Sequence, residues 1–228
     1  TVIPKANYAP KNILTEVQLQ KFLDVVRQDA VWSDFFYTEL TTGMRRGEVL
    51  GLMWKDISFG DVCELKVRRA YTPALKLKEP KTKSGFRTIA IDRVTAEHLR
   101  AWKILQAECL ETLGEPFMQT EETPVCCSNI GGLYDPTNFY GWWNSFRKQA
   151  GFPQLRFHEL RHTQATQLLA NGVDVKTVQT RLGHANASIT LNWYAHAVPE
   201  NDQKAAQLIG DLFSSNPQSD ANEESHAK

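Results

Sequence analysis

Apolar positions near the amino end fall into a helical rhythm. Thr15 followed by Gln18 is a capping-box pattern, and Phe22, Leu23, Val25 and Val26 give the next stretch an apolar side ending near Asp29. A second helix is predicted from Ser33 to about Thr42. Gly43 interrupts the pattern, and a short helix follows from about Gly47 to Met53. From Asp56 to Ile91 the period changes. Leu65, Val67, Ala70, Leu75, Leu77, Ile89 and Ile91 alternate with polar residues in short stretches, punctuated by Gly60-Asp61, Pro73, Pro80 and Ser84-Gly85. This predicts a small antiparallel sheet of about three strands. Helical patterns then return at about 93–113, 136–149, 158–171, 174–182, 187–195 and 199–213, with Gly172, Gly183 and Pro199 as stops. The expected fold class is mainly α with a small antiparallel β-sheet (α+β).

The 228 residues are enough for a real buried core. Residues 1–12 carry two prolines, two lysines and two asparagines and read as a linker; residues 13–213 hold the predicted elements as one domain ending in a helix. Residues 214–228 (SSNPQSDANEESHAK) are polar throughout and are expected to be disordered. No apolar run approaches 18 residues, so no membrane partner is expected, and the N-terminus lacks the apolar core of a signal peptide. Cys63, Cys109, Cys126 and Cys127 form no CxxC pair, which points to reduced thiols and a cytoplasmic location.

Lys and Arg total 26, and so do Asp and Glu. A zero net charge argues at first against a nucleic-acid partner, but the distribution reverses that reading. Between Lys66 and Arg93 nine basic residues face two acidic ones, a local net of +7 on the predicted sheet. Residues 104–146 contain six acids and no Lys or Arg, and residues 200–228 carry a net of −4. A basic hairpin can be a solvated face or a surface laid against phosphates.

The densest polar cluster is Arg156-Phe157-His158-Glu159-Leu160-Arg161-His162. Read as H-E-x-x-H, it would place two imidazoles on one helix face around a zinc ion. A third ligand is hard to supply: Ala165 stands where the extended motif needs glycine, and the next Glu is Glu200. Read as a phosphate site, His158 and Arg161 share a face at i, i+3, and arginine offers a planar fork to phosphate oxygens. Upstream lies Thr41-Thr42-Gly43-Met44-Arg45-Arg46-Gly47-Glu48, continuing through Gly51-Leu52 to Trp54 and Asp56-Ile57. Downstream lie Leu182-Gly183-His184 and Thr190-Leu191-Asn192-Trp193-Tyr194-Ala195-His196.

These four blocks, in this order over about residues 13–197, resemble the tyrosine recombinase (phage integrase) family. The resemblance implies that Arg45 and Arg161 clamp a scissile phosphate and that His158 works beside Arg161 in proton transfer or phosphate binding. It implies that His184 hydrogen-bonds the phosphate and that Tyr194 is the nucleophile. The family's hairpin lysine, which protonates the leaving 5′-oxygen, matches Lys83, with Lys81 as the alternative. Arg68, Arg69, Lys76, Lys78, Lys81 and Arg87 are candidate DNA contacts on the same hairpin. Glu48 is expected to orient an arginine, and Tyr71, Tyr134 and Tyr140 lie in no matching block. The implied reaction passes through a 3′-phosphotyrosine and needs no cofactor or metal.

The implied activity is site-specific recombination for integration and excision of a mobile element. The partners are double-stranded DNA and further copies of the protein, assembled as a tetramer on DNA at full length. The family's upstream core-binding domain is absent from the sequence, so residues 1–12 are expected to be the remnant of a linker to it and duplex binding is expected to be weak. Leu208, Ile209, Leu212 and Phe213 form one apolar helix face that either covers its own domain or docks on a neighbour. Type IB topoisomerase-like relaxation, a zinc hydrolase and DNA binding without catalysis are the alternatives.

Overall fold

A computed structural model describes residues 12–28 and 33–186, together with Ser188, Thr190, Ala206 and Gln207. Apart from those four residues, the helices expected at 187–195 and 199–213 lie outside the described residues, as do the linker up to residue 11, the tail at 214–228 and the block containing Trp193, Tyr194 and His196.

Seven helices occur among the described residues: α1 (Glu16–Val26), α2 (Ser33–Thr42), α3 (Arg46–Leu50), α4 (Arg93–Glu111), α5 (Pro136–Gln149), α6 (Phe157–Ala170) and α7 (Val175–Leu182). The starts of four of them follow from side chains that accept orphan N–H groups of the first turn. Thr15 and Gln18 form the expected reciprocal capping box, and Asp92, Asp135 and Asp174 cap α4, α5 and α7. Two helices begin differently. In α3 and α6 the N-cap is Arg45 or Arg156, and the glutamate three residues on reaches back to its N–H: Glu48 at 2.8 Å and Glu159 at 2.7 Å.

The strands are β1 (Ile57–Phe59), β2 (Cys63–Val67), β3 (Ala70–Tyr71), β4 (Leu77–Lys78) and β5 (Arg87–Ala90). The antiparallel sheet has the order β1-β2-β5, with Leu65 opposite Ile89 and Val67 opposite Arg87. The β3–β4 pair forms a separate two-stranded ribbon rather than a continuation of that sheet. Two-residue strands are too short to show an alternation, so the sequence merges them with their neighbours.

The main core is aromatic. Phe22 of α1, Phe36 of α2 and Phe146 of α5 meet with centroids 5.4–5.9 Å apart, joined by Trp143, Phe139 and Phe157. Each such pair contributes about 0.5–1.5 kcal/mol beyond its burial. A second cluster of Ala165, Leu169, Val178 and Leu182 locks α6 to α7. Helix α6 is central: from Glu159 to Ala165 every residue is buried, polar ones included. A helix with so many buried polar groups must satisfy them internally, and the partners it finds define the site.

The chain also enters the fold on α6. The Asn12 and Leu14 backbone N–H groups donate to Glu159 Oε1 and Thr163 Oγ1, both at 3.1 Å. Among the described residues no helix is long and apolar enough to cross a membrane.

Candidate active site

Gly43 ends α2 with φ +64°, a left-handed conformation that suits glycine. A Cβ there would lie 2.0 Å from Gln164 Oε1 and 2.5 Å from Leu182 Cδ2. The absent side chain therefore lets α2, α6 and α7 converge. Arg161 exploits that convergence. Its side chain is buried, and its two Nη groups donate to the Gly43 and Leu182 carbonyls. Arg45, at the start of α3, donates from Nη1 to Glu48 Oε1 at 2.8 Å and from Nη2 to the Gly183 carbonyl at 3.2 Å. The two guanidinium groups thus seat on adjacent carbonyls at the C-terminal end of α7, where the helix dipole favours cations.

The arginines differ in access: the Arg45 side chain is 43% exposed, whereas Arg161 as a residue is 1% exposed. Burial, and then the charge of Arg45, pulls Arg161 down to about 9, against the opposing pull of Glu48 and Glu39. Glu39, on α2, is itself buried; burial pushes its carboxyl well above the usual range, and Arg161 offsets only part of that. Burial would also raise Glu48, but hydrogen bonds from Arg87 and Arg45 and their charges hold it below the ordinary carboxylate value.

His184 follows Gly183, whose φ of +67° turns the chain out of α7. Its Nδ1 lies 2.9 Å from Thr190 Oγ1. Burial, then the charges of Arg161 and Arg45, lowers it to about 3, so the ring is neutral at physiological pH. His158 is exposed one turn before Arg161, and its ring meets the His162 ring edge-on at 4.6 Å. The Lys83–Gly85 segment is a 3-10 turn with Lys83 exposed. A Cβ on Gly183 would meet the Ser84 carbonyl at 2.8 Å, so this turn lies against the end of α7. Lys81 is exposed two residues upstream.

The structure therefore gathers Arg45, Arg161, His184 and the turn bearing Lys83 around one point, with His158 on the same helix as Arg161. Tyr194 lies outside the described residues. The assembly is a cationic cluster whose members repel one another, which an anion would relieve.

Among the candidate DNA contacts, Arg68, Lys76, Lys78 and Lys81 are exposed. A groove of about 660 Å³ between the sheet and the β3–β4 ribbon is lined by Lys66, Arg68, Arg69 and Lys78, among others. Arg69 faces it with its guanidinium ion-paired to buried Asp56. Arg87 needs correction as a DNA contact: its side chain is 3% exposed and it pairs with Glu48 at 2.8 Å. The strand pattern contains the signal, because Arg87 shares its inward parity with Ile89. Glu39 belongs to no sequence block that marks it as a neighbour of the site, and Thr190, which opens the block of Tyr194, carries no signal there that it meets His184. Arg46, beside Arg45, stacks its guanidinium over the Tyr140 ring at 3.9 Å.

The zinc arrangement does not fit these residues. Glu159 is committed to Arg156 and to the Asn12 N–H. Among the described residues no group of three or more His, Cys, Asp or Glu side chains could hold a metal.

Two arginines on one helix end, a neutral histidine and a lysine turn make a site on a mainly α scaffold whose charge suits an anion. A sequence model of the Phage integrase family matches residues 12–201, and the chain belongs to that family. A XerC-like tyrosine recombinase of Caldanaerobacter subterraneus subsp. tengcongensis is 34% identical over 191 residues, covering 78% of this chain and 49% of the relative. The ICEBs1 integrase of Bacillus subtilis is 29% identical over 206 residues, covering 86% of this chain and 53% of the relative. The Tn1549 transposon integrase, solved in complex with transposon right end DNA, superposes with a TM-score of 0.72 at 25% identity, covering 90% of this chain and 68% of that one. The chain spans about half the length of the curated relatives it matches.

Proposed function

We propose that this chain carries the strand-cleaving and joining centre of a site-specific DNA recombinase that integrates and excises a mobile element. The observation that carries the reading is the convergence of the Arg45 and Arg161 guanidinium groups on the adjacent Gly183 and Leu182 carbonyls beside His184. Membership of the integrase family and the relatives' names support it.

In this mechanism the scissile phosphate sits against Arg45, Arg161 and His184. The phenolic oxygen of Tyr194 attacks phosphorus, and its proton passes to His158. The bond to the 5′-oxygen breaks, and that oxygen takes a proton from Lys83, or from Lys81 in its place. A 3′-phosphotyrosine and a free 5′-hydroxyl result. A phenol with a pKa near ~10 needs an electropositive surrounding to attack at neutral pH, and the cationic cluster supplies one. The pentavalent transition state gains negative charge on its non-bridging oxygens, where preorganised donors act most strongly. Reverse attack by a 5′-hydroxyl of another duplex completes the exchange. Arg68, Lys76, Lys78 and Lys81 hold the flanking phosphates. Recombining two duplexes cuts four strands, and one tyrosine per chain then requires four protomers on DNA.

The test is a nicked suicide duplex carrying the element end. The expected result is a covalent protein–DNA adduct that disappears in Tyr194→Phe. An adduct that persists in that variant places the nucleophile elsewhere. Relaxation of supercoiled plasmid without joining of two sites would favour a topoisomerase-like activity.

A further inference from the structure

Arg87 commits every nitrogen of its guanidinium inside the protein. Nη2 donates to Glu48 Oε2 at 2.8 Å and Nη1 to Glu48 Oε1 at 3.3 Å. Nη1 also donates to the Gly85 carbonyl at 3.2 Å, and Nε to the Arg181 carbonyl at 2.7 Å. Glu48 is buried, and its remaining bonds go to Arg45, from the backbone N–H and from Nη1, each at 2.8 Å. One carboxylate is therefore shared between a buried arginine and a half-exposed one. The same buried arginine touches the turn that bears Lys83 and the end of α7 that leads into Gly183 and His184.

We infer that Arg87 is a positioning residue that aims Arg45 through Glu48. Arg45 is too exposed for packing to fix its long side chain, so its direction depends on the two acceptors that receive it, Glu48 at 2.8 Å and the Gly183 carbonyl at 3.2 Å, of which the carboxylate is the nearer. Glu48 is oriented by two bonds from Arg87, at 2.8 and 3.3 Å, a bidentate geometry that adds directional specificity to the pair. Without Arg87 the carboxylate keeps only Arg45 and turns with it. Lysine cannot replace this function, because one ammonium does not span a carboxylate and two carbonyls in a plane.

The kinetic part of the test rests on the recombinase reading; the spectroscopic part does not. Arg87→Gln and Arg87→Lys are compared with wild type on three nicked suicide duplexes. One has an ordinary scissile phosphodiester, one a methylphosphonate and one a 5′-bridging sulfur. The methylphosphonate lacks the negative charge that Arg45 would hold, and the sulfur leaves without needing a proton from lysine. Arg87→Gln is expected to slow cleavage of the phosphodiester at saturating DNA about 100-fold, the scale of a misplacement transmitted from outside the reacting atoms. DNA affinity should be unchanged. The deficit should shrink at least about tenfold on the methylphosphonate and persist on the sulfur substrate.

An equal deficit on all three substrates, or relief by sulfur alone, would overturn the inference, the latter moving the effect to the lysine turn. In parallel, hydrogen exchange of the Arg45 guanidinium is followed by NMR in the free protein. Faster exchange in Arg87→Gln is expected, and unchanged exchange in the folded variant overturns the inference. If wild type forms no adduct, the recombinase reading falls and the NMR comparison alone decides the role of Arg87. If Arg87→Gln does not fold, Arg87→Lys carries the same comparisons.

Discussion

Arg45 and Arg161 show how position divides one chemistry between two identical residue types. Arg161 is buried and braced on two carbonyls from different segments, so its geometry comes from the fold. Arg45 lies at the mouth and is held by one acid, Glu48, and one carbonyl, that of Gly183. His184 adds a neutral donor or acceptor beside them, and its environment has a measurable consequence. The unfolded chain takes up a proton at this histidine below about pH 6.5, whereas the folded chain holds it neutral down to about 3. The unfolded state therefore binds more protons across that window, and stability falls as pH falls through it. In His184→Gln the drop in melting temperature between about pH 7.5 and about pH 5 should be smaller than in wild type. Equal drops would show that another group governs the acid limb.

At the scale of elements, the end of α7 is the junction on which the site depends. Gly183 combines a left-handed φ with contacts that admit no side chain: a Cβ would meet the Ser84 carbonyl at 2.8 Å and Arg87 Nη1 at 2.9 Å. Gly183→Ala should cost about 1–3 kcal/mol from the backbone conformation, measured by denaturant unfolding. It should also push the lysine turn away, so cleavage should fall further than stability accounts for. A variant that loses neither would show that the turn and helix end move independently.

Most of these elements are legible in the sequence because their boundaries are chemical. Thr15, Asp92, Asp135 and Asp174 cap helices, and Gly43 and Gly183 end them. The short helix after Gly47 is expected to reach Met53 but stops at Leu50, and a 3-10 turn at Trp54–Asp56 leads into the sheet. The β3–β4 ribbon is not legible, because two-residue strands have no period. Arg87 reads as a DNA contact because it belongs to a charge run, whereas strand parity places it inward beside Ile89. The ordered blocks contain Arg45, Arg161 and His184, which the structure brings together. The buried acid behind Arg161 belongs to none of them, since only packing brings Glu39 there.

For the whole molecule, zero net charge hides an uneven surface. Of the basic residues on and around the hairpin, Arg87 and Arg69 are paired internally, which leaves Arg68, Lys76, Lys78 and Lys81 exposed for the proposed DNA contact. Binding to a short duplex should be strongly salt-dependent. Replacing Arg68 and Lys78 together by alanine should reduce the log–log salt slope by about 2, on the rule of about 0.9 per neutralised phosphate. A slope that does not change would remove the groove from the interface.

The attachment of the chain to α6 has a mechanical consequence. The Asn12 and Leu14 backbone is bonded to Glu159 and Thr163, which bracket Arg161 and lie within a turn or so of His158. A load applied at the amino end of the described chain is thus delivered first to the helix that carries His158 and Arg161, and α1 is loaded only after the bonds of Asn12 and Leu14 give way. The helix proposed to grip DNA chemically is also the first to feel a pull along the polypeptide.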